Sequence, residues 1–252
     1  MLNIIINADD CGKNKVINSR IREFIDAGKV TSTTIMANMD DLDGAIALYK
    51  NYQDKISFGV HLNLTEGHPI LYSDILLQKG LYVESNDGLK FNINLYRNKV
   101  LSFKVLNEIE KELDAQISIL KDSGVSISHI DSHHHIHTGF AFLGLLPKLS
   151  RKHGIYKVRR MRNYMPFASK VNILCRDCWW WLIKTQFSQL KTTCYFGIFE
   201  DWFENGLLIN NKDTTLELMC HPGGIYRVES QNLLNTDFHS LANVRLISYN
   251  DI

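Results

Sequence analysis

The sequence predicts an α/β fold in which a parallel sheet is either open or closed into a barrel. Strand patterns alternate with helical patterns along most of the 252 residues. This alternation is typical of parallel sheets, because neighbouring parallel strands need crossover connections. Polar residues follow several of the predicted strands, and in parallel α/β folds the carboxyl ends of the strands build the active site. We therefore expect one rim of the sheet to carry the chemistry.

The first part of the chain shows the clearest alternation. An apolar, β-branched run at Ile4–Ile6 ends at two consecutive aspartates and is typical of a buried strand. Apolar residues at helical spacing then predict a first helix, which ends at Gly28, where glycine commonly terminates a helix. Strands over 30–36 and 56–64, with a short helix over 41–49 between them, follow.

The later part of the chain has longer connections between its predicted elements. The clearest amphipathic helix lies between Leu106 and Leu120. The other predicted elements are strands over 125–130, 156–158, 216–220 and 244–248, and helices over 140–152 and 173–183.

We interpret residues 1–252 as one domain with insertions at about 66–100 and 163–193. The first insertion has turn residues and no sustained periodicity, and a loop of this length is often a substrate-covering element. The second carries three consecutive tryptophans, Trp179–Trp181, in the Trp-rich segment 173–183. These can stack on a sugar or touch a membrane surface, but core packing or a homodimer contact is the more common use of such residues.

Composition excludes several classes of protein. Hydrophobic residues make up 45% and charged residues 22% of the chain, which is close to the globular average and excludes a disordered or fibrous protein. The 28 basic and 27 acidic residues give a net charge of +1, so there is no basic excess for nucleic-acid binding. Five scattered cysteines, no signal-peptide pattern and no transmembrane segment predict a cytoplasmic location.

A dense group of histidines is the strongest chemical signal. Five of the ten histidines lie within nine residues. If this segment is extended, side-chain alternation places four of them and Asp131 on one face, which forms a potential metal site, and directs His134 elsewhere. The alternative is a polar loop with exposed histidines. The five are His129, His133, His134, His135 and His137.

Residues at the ends of other predicted strands can complete a metal site with these histidines. Asp9 and Asp10 can both reach one site where the strand frays into a loop, or they can simply form a turn. Asp10, His61 and His133 would give the three protein ligands that mononuclear hydrolytic sites use. A second, uncoordinated carboxylate can then act as general base. His221 precedes Pro222 on a stiff turn, which suits a general acid, although an ordinary turn residue is an equal alternative.

Read together, five ordered motifs resemble the YdjC-like carbohydrate deacetylases, a family that includes chito-oligosaccharide deacetylases. They are Asn7–Asp10, Val30–Thr34, Gly59–Thr65, His129–His137 and Met219–Pro222. The resemblance implies a TIM-like, distorted (β/α)-barrel related to polysaccharide deacetylases, a divalent metal ion, and hydrolysis of an N-acetyl group on an amino sugar.

The resemblance also assigns roles to single residues. It implies that Asp10, His61 and His133 bind one metal ion, that Asp9 is the general base and that His221 is the general acid. A carboxylate and two histidines accept either Zn²⁺ or Mg²⁺.

Three further residues are candidates to support the ligands or to bind substrate. Asp131 would orient a ligand histidine or the substrate. Arg159, Arg160 and Arg162 follow the predicted strand at 156–158; one of them, with Arg159 as the candidate, would enter the site and bind substrate, or the three form a solvated basic face. His135, like His137, is open to a role as a further metal ligand.

Two rival functions remain open on the sequence. Aspartate and histidine sites at strand ends also hydrolyse phosphate esters, often with two metal ions, and His135 and His137 can help to hold a second ion. The other rival is a barrel that binds a sugar or metal without catalysis.

Overall fold

The computed structural model describes residues 1–86, 88–92, 101–186, 189–205, 214–223 and 227–252. The strands are β1 (Leu2–Cys11), β2 (Ser32–Ile35), β3 (Ser57–Leu62), β4 (Tyr82–Ser85), β5 (Gly88–Phe91), β6 (Ile130–Ser132), β7 (Tyr195–Ile198), β8 (Thr214–Cys220) and β9 (Val244–Leu246). The helices are α1 (Lys15–Asp26), α2 (Leu42–Tyr52), α3 (Asp74–Gln78), α4 (Phe103–Asp122), α5 (Leu145–His153), α6 (Lys170–Thr185), α7 (Phe199–Asn205) and α8 (Arg227–Asn235).

Strand β1 lies at the centre of a parallel sheet. Within the described residues, seven strands form this sheet, six of them in the order β6-β3-β2-β1-β8-β7. The same edge of β1 pairs with β9 near Leu2 and with β2 from Asn7 onward. Its apolar residues Ile4–Ile6 are fully buried, as the continuous apolar run predicts for a strand covered on both faces.

The segment between β6 and β7 closes the sheet into a distorted barrel. Val158 forms a parallel bridge with Ile130, at the free edge of β6. Farther along the segment, the amides of Asn163 and Tyr164 donate to the carbonyl of Phe196 in β7. The predicted strand at 156–158 is thus reduced to bridges, and the predicted α/β barrel is confirmed.

The helices cover the sheet with the apolar faces that their spacing predicts. Helix α4 buries Ile109, Leu113 and Ile117 against the barrel, and it extends the predicted helix by a few residues at its start and end. Among the described helices, none combines the length and the apolar composition that a bilayer crossing needs.

Two other differences from the sequence prediction concern the segments 66–100 and 125–130. The segment 66–100 contains helix α3 and the antiparallel hairpin β4–β5, and residue 87 and residues 93–100 of the segment lie outside the described residues. Residues 187–188 of the predicted insertion 163–193 also lie outside them. The predicted strand over 125–130 is wrong for most of its length, because regular strand structure begins only at Ile130.

Candidate active site

The carboxyl ends of five strands, β1, β3, β6, β7 and β8, surround a cavity of about 570 Å³. The cavity is lined by six of the eight side chains that the sequence proposes for the site: Asp9, Asp10, His61, His133, His135 and His221. The other two, Asp131 and Arg159, are fully buried beneath it. Arg159 therefore lies where it can support the site but not where it can contact a substrate.

A β-bulge explains how two consecutive aspartates serve one site. In the pairing of β1 with β2, Ala8 lies opposite Thr33 and Cys11 lies opposite Ile35, so β1 carries one extra residue. Asp10, inside the bulge, has a left-handed backbone with φ of 67°. The prediction that β1 frays into a loop at the aspartates is wrong, because the strand continues to Cys11. The bulge, and not a frayed end, brings both carboxylates to the site.

Asp10, His61 and His133 converge on one point. Asp10 Oδ1 lies 3.4 Å from His61 Nε2 and 3.0 Å from His133 Nδ1. One ligand atom from each residue lies within 4.8 Å of the others, and all three residues are buried. Burial opposes ionisation of Asp10, yet contact with His133 and His61 holds its pKa well below the usual range.

In both His61 and His133, a carboxylate contacts the ring nitrogen that points away from Asp10. Asp131 Oδ1 lies 2.7 Å from His61 Nδ1, and Glu66 Oε2 lies 2.9 Å from His133 Nε2. Burial would lower the pKa of His61, but Asp131 and Asp10 raise it to about 10. Carboxylates in these positions commonly orient metal-binding histidines, with one nitrogen held and the other presented to the ion.

Sequence reasoning missed Glu66, which it treated as the start of an insertion. The sequence does contain a feature that points to Glu66: it is an acidic residue directly after the strand-end motif His61–Thr65. Its carboxylate also lies 2.8 Å from Lys13 Nζ, which fixes it at the cavity wall.

The three converging residues fit a divalent metal ion. Asp10 Oδ1 is buried and forms no hydrogen bond of good geometry, although two imidazole nitrogens lie 3.0 and 3.4 Å from it. A cation between the three groups would satisfy this buried carboxylate oxygen. Two imidazole nitrogens and one carboxylate oxygen are ligands for Zn²⁺, and the carboxylate extends the range to Mg²⁺. Together they would provide three protein ligands beside an open cavity, as catalytic metal sites do.

Asp9 turns toward a buried arginine beneath Asp10, His61 and His133. Arg159 Nη1 and Nη2 donate to the two carboxylate oxygens of Asp9 at 2.8 and 2.7 Å. Burial would raise the pKa of Asp9, but Arg159 lowers it below its ordinary value, so the carboxylate stays ionised. Arg159 also contacts Asp131 at 2.8 Å and Glu217 at 2.7 Å, which locks its position.

His221 lines the cavity just beyond the end of β8. Its amide donates to Glu229 Oε2 at 3.0 Å, and its Nδ1 lies 3.8 Å from the same oxygen. Burial would lower the pKa of His221, but Glu229, Asp9 and Asp10 raise it, so the protonated ring is favoured. Glu229 is a buried residue of α8 that sequence reasoning also missed.

The histidine segment does not have the extended conformation that the alternation assumed. After β6 the chain enters a turn of 3-10 helix, in which His134 and His135 have left-handed backbones with φ of 52° and 55°. As a result His133, His134 and His135 all line the cavity. The expectation that His134 points elsewhere is wrong, and its Nδ1 lies 2.8 Å from Thr65 Oγ1.

The rings of His129 and His137 are buried and contact other parts of the fold, and neither lines the cavity. His129 stacks on Tyr249 with ring centroids 3.6 Å apart. His137 Nδ1 lies 2.5 Å from Ser132 Oγ, and its Nε2 lies 3.0 Å from the carbonyl of Arg159. Both ring nitrogens of His137 are therefore engaged, which leaves none for a metal ion.

Comparison with known proteins identifies the family. The model of the YdjC-like protein family matches residues 3–244. The chain belongs to the YdjC-like family. The resemblance inferred from the five motifs is confirmed, and the matched range includes every residue discussed for the cavity.

Individual YdjC-like relatives extend the comparison. A carbohydrate deacetylase of Oceanobacillus iheyensis is 32% identical over 222 residues, which cover 88% of this chain and 86% of the relative. A carbohydrate deacetylase of Halalkalibacterium halodurans is 30% identical over 233 residues, which cover 92% and 89% of the two chains.

A solved structure shares the fold. It is described as a cellobiose-phosphate cleavage protein of Enterococcus faecalis V583, and it superposes with a TM-score of 0.76 at 23% sequence identity. The match covers 99% of this chain and 98% of that chain, so the barrel is common to both along their lengths.

Proposed function

We propose that this YdjC-like protein is a metal-dependent hydrolase that removes the N-acetyl group from an acetylated amino sugar and releases acetate. The observation that carries the proposal is the convergence of Asp10, His61 and His133 beside two further titratable groups, Asp9 and His221, in one cavity. The relatives named as carbohydrate deacetylases support the choice of reaction and substrate class.

Asp10, His61 and His133 would hold one Zn²⁺ or Mg²⁺ ion. When bound, such an ion lowers the pKa of a coordinated water molecule and polarises the acetyl carbonyl. The chain's own contribution is to fix the ligands: Asp131 holds His61 and Glu66 holds His133, so both rings keep one orientation.

Asp9 would act as the general base. Its carboxylate lines the cavity next to the metal-binding residue Asp10 and stays ionised through its two hydrogen bonds from Arg159. Those bonds also prevent Asp9 from swinging toward the metal-binding residues. A carboxylate that is ionised and held in place is suited to take a proton from the attacking water.

His221 would act as the general acid. Glu229 favours its protonated ring, so a proton is available for the departing amine as the amide bond breaks. The proton taken up by Asp9 and the proton given by His221 balance, and both residues regain their starting states by exchange with solvent.

The substrate panel that tests the proposal contains N-acetylated sugars. The purified protein, loaded with Zn²⁺ or Mg²⁺, is incubated with chito-oligosaccharides and with nucleotide-linked and lipid-linked N-acetyl sugars, and acetate is measured. We expect metal-dependent acetate release from at least one class, and none after chelation. Absence of release from all classes, with metal content confirmed, would contradict the proposal.

The structure weakens the case for a two-metal phosphoesterase. In that alternative His135 and His137 could help to hold a second ion, and His137 is unsuited to this because Ser132 and the carbonyl of Arg159 engage both of its ring nitrogens. A metal content near two ions per chain would reverse this conclusion.

A further inference from the structure

Glu66, whose carboxylate contacts His133, lies on a loop and not in a strand. Residues 63–70 form neither helix nor strand. The Glu66 side chain is 39% exposed, whereas Asp131, which plays the same part for His61, is fully buried in β6. A glutamate on such a loop can adopt many rotamers, and ordering it costs conformational entropy. The loop therefore needs support if Glu66 is to keep its contact with His133.

The side chain of Asn63 fixes the backbone of Glu66. Asn63 Oδ1 accepts hydrogen bonds from the amides of Thr65 and Glu66 at 3.0 and 3.1 Å. Asn63 Nδ2 donates to the carbonyl of Glu66 at 2.7 Å. The carboxamide of an asparagine can form such turns because it replaces the bonds that a helix or strand would supply. One side chain thus holds the peptide groups before and after the Cα of Glu66.

Asn63 is itself held in place from helix α4. Gln116 Oε1 accepts a hydrogen bond from the amide of Asn63 at 2.9 Å, and Gln116 Nε2 donates to its carbonyl at 2.7 Å. Gln116 Nε2 also donates to Glu112 Oε1 at 2.9 Å. Glu112 in turn accepts from the amides of Ile70 and Leu71, at the far end of the loop. The side chains of Asn63, Gln116 and Glu112 are fully buried, so water does not compete for these bonds.

A second asparagine supports the same loop from the chain that follows β2. Asn38 Oδ1 accepts a hydrogen bond from Asn63 Nδ2 at 3.0 Å. Asn38 Nδ2 donates to the carbonyls of Glu66 and His68 at 3.3 and 2.9 Å. The loop that carries Glu66 is therefore fixed between α4 on one side and the end of β2 on the other.

We propose that Asn63 is a positioning residue for metal binding, which acts through Glu66 on His133. The proposal rests on the metal site of the proposed function. As an acceptor, Glu66 favours the tautomer of His133 that carries its proton on Nε2, which leaves Nδ1 directed toward Asp10. When Asn63 is lost, Glu66 regains its rotamers and His133 loses this preference.

The first test measures the Zn²⁺ affinity of the full chain by competition with a chelator. Asn63→Ala should weaken binding about tenfold, at the low end of the range for residues that orient metal ligands. Asn163→Ala is the matched control, because Asn163 is also a buried asparagine whose side chain accepts from a backbone amide, that of Phe196. It should leave the affinity unchanged. Near-ultraviolet circular dichroism confirms that each variant is folded.

The second test asks whether Asn63 acts through Glu66. A residue that acts only through another has no effect once that other residue is absent, so the two substitutions are not additive. In the Glu66→Ala background, Asn63→Ala should change the Zn²⁺ affinity by less than about twofold, which is the scatter of independent sites. A general loosening of the site would give the same tenfold loss in both backgrounds.

Asn38→Ala provides a milder variant if Asn63→Ala does not fold. Asn38 is only half-buried, and its removal leaves the turn from Asn63 to Glu66 closed. Zn²⁺ affinity should fall in the same direction and by a smaller factor than in Asn63→Ala, and this loss should also disappear in the Glu66→Ala background.

Three results would overturn the proposal: a folded Asn63→Ala with unchanged Zn²⁺ affinity, an equal loss in the Glu66→Ala background, or an equal loss in Asn163→Ala. A wild type that binds no Zn²⁺ would overturn it together with the proposed metal site. Affinities as predicted, without acetate release from any N-acetylated sugar, would support the role of Asn63 and contradict only the proposed reaction.

Discussion

Glu217→Gln tests the charge network that lies beneath Asp9. Glu217 is fully buried in β8, where Oε1 accepts a hydrogen bond from Arg159 and Oε2 accepts one from Tyr249. Burial raises its pKa to about 7, although Arg159 and Tyr249 oppose the rise. Glutamine keeps the shape and an acceptor oxygen but cannot ionise.

The expected effect follows from proton binding. Between pH 4.5 and about 7 the unfolded chain has lost the Glu217 proton while the folded protein keeps it, so wild-type stability falls as pH rises through this range. The difference between the two pKa values corresponds to about 3 kcal/mol of unfolding free energy. Relative to the wild type, Glu217→Gln should be nearly neutral at pH 4 and about 3 kcal/mol more stable at pH 8.

Urea unfolding at pH 4, 6 and 8, followed by circular dichroism, measures this difference. The comparison between wild type and Glu217→Gln removes the contribution of all other titrating groups. A difference that does not change with pH would refute the reasoning. A variant that is less stable than the wild type at pH 8 would refute it more strongly, since it would show that Arg159 keeps Glu217 ionised.

Three further predictions follow from single contacts. Glu66→Gln should weaken Zn²⁺ binding about ten- to a hundredfold in a chelator competition titration, because His133 loses its orienting carboxylate, and unchanged affinity would contradict this role. A Zn²⁺ concentration 100-fold above its Kd should stabilise the wild type by about 2.7 kcal/mol in urea unfolding, whereas His61→Ala should show no such gain. Gly59→Ala should cost about 1–3 kcal/mol, because a Cβ would lie 2.5 Å from the ring of His129, and Gly144→Ala, with open space, is the near-neutral control.

The positions of the main site residues could be predicted from the sequence because they depend on strand ends. Asp10, His61 and His133 each follow a pattern of buried apolar residues, and parallel topology brings the ends of such strands to one rim. Short local patterns in the sequence are therefore sufficient to predict that these three residues meet at one cavity.

The remaining features depend on backbone turns and long-range contacts that local patterns do not encode. The left-handed conformations of His134 and His135 overturn the expected alternation, because period-two reasoning applies only to regular strands. Glu66 contacts His133 across 67 residues of chain, and Glu229 contacts His221 from the helix that follows it, so the folded chain is needed to reveal both pairs.

The central claim is that Asp10, His61 and His133 hold a metal ion and that Asp9 performs the proton transfer beside it. The most direct test measures metal content and acetate release on the same samples of the wild type and Asp9→Asn. We predict about one divalent ion per chain in both proteins, and acetate release reduced about 10²- to 10⁴-fold in Asp9→Asn. Near-normal release by Asp9→Asn would contradict the assignment of the base, and a wild type that releases acetate without bound metal would contradict the account as a whole.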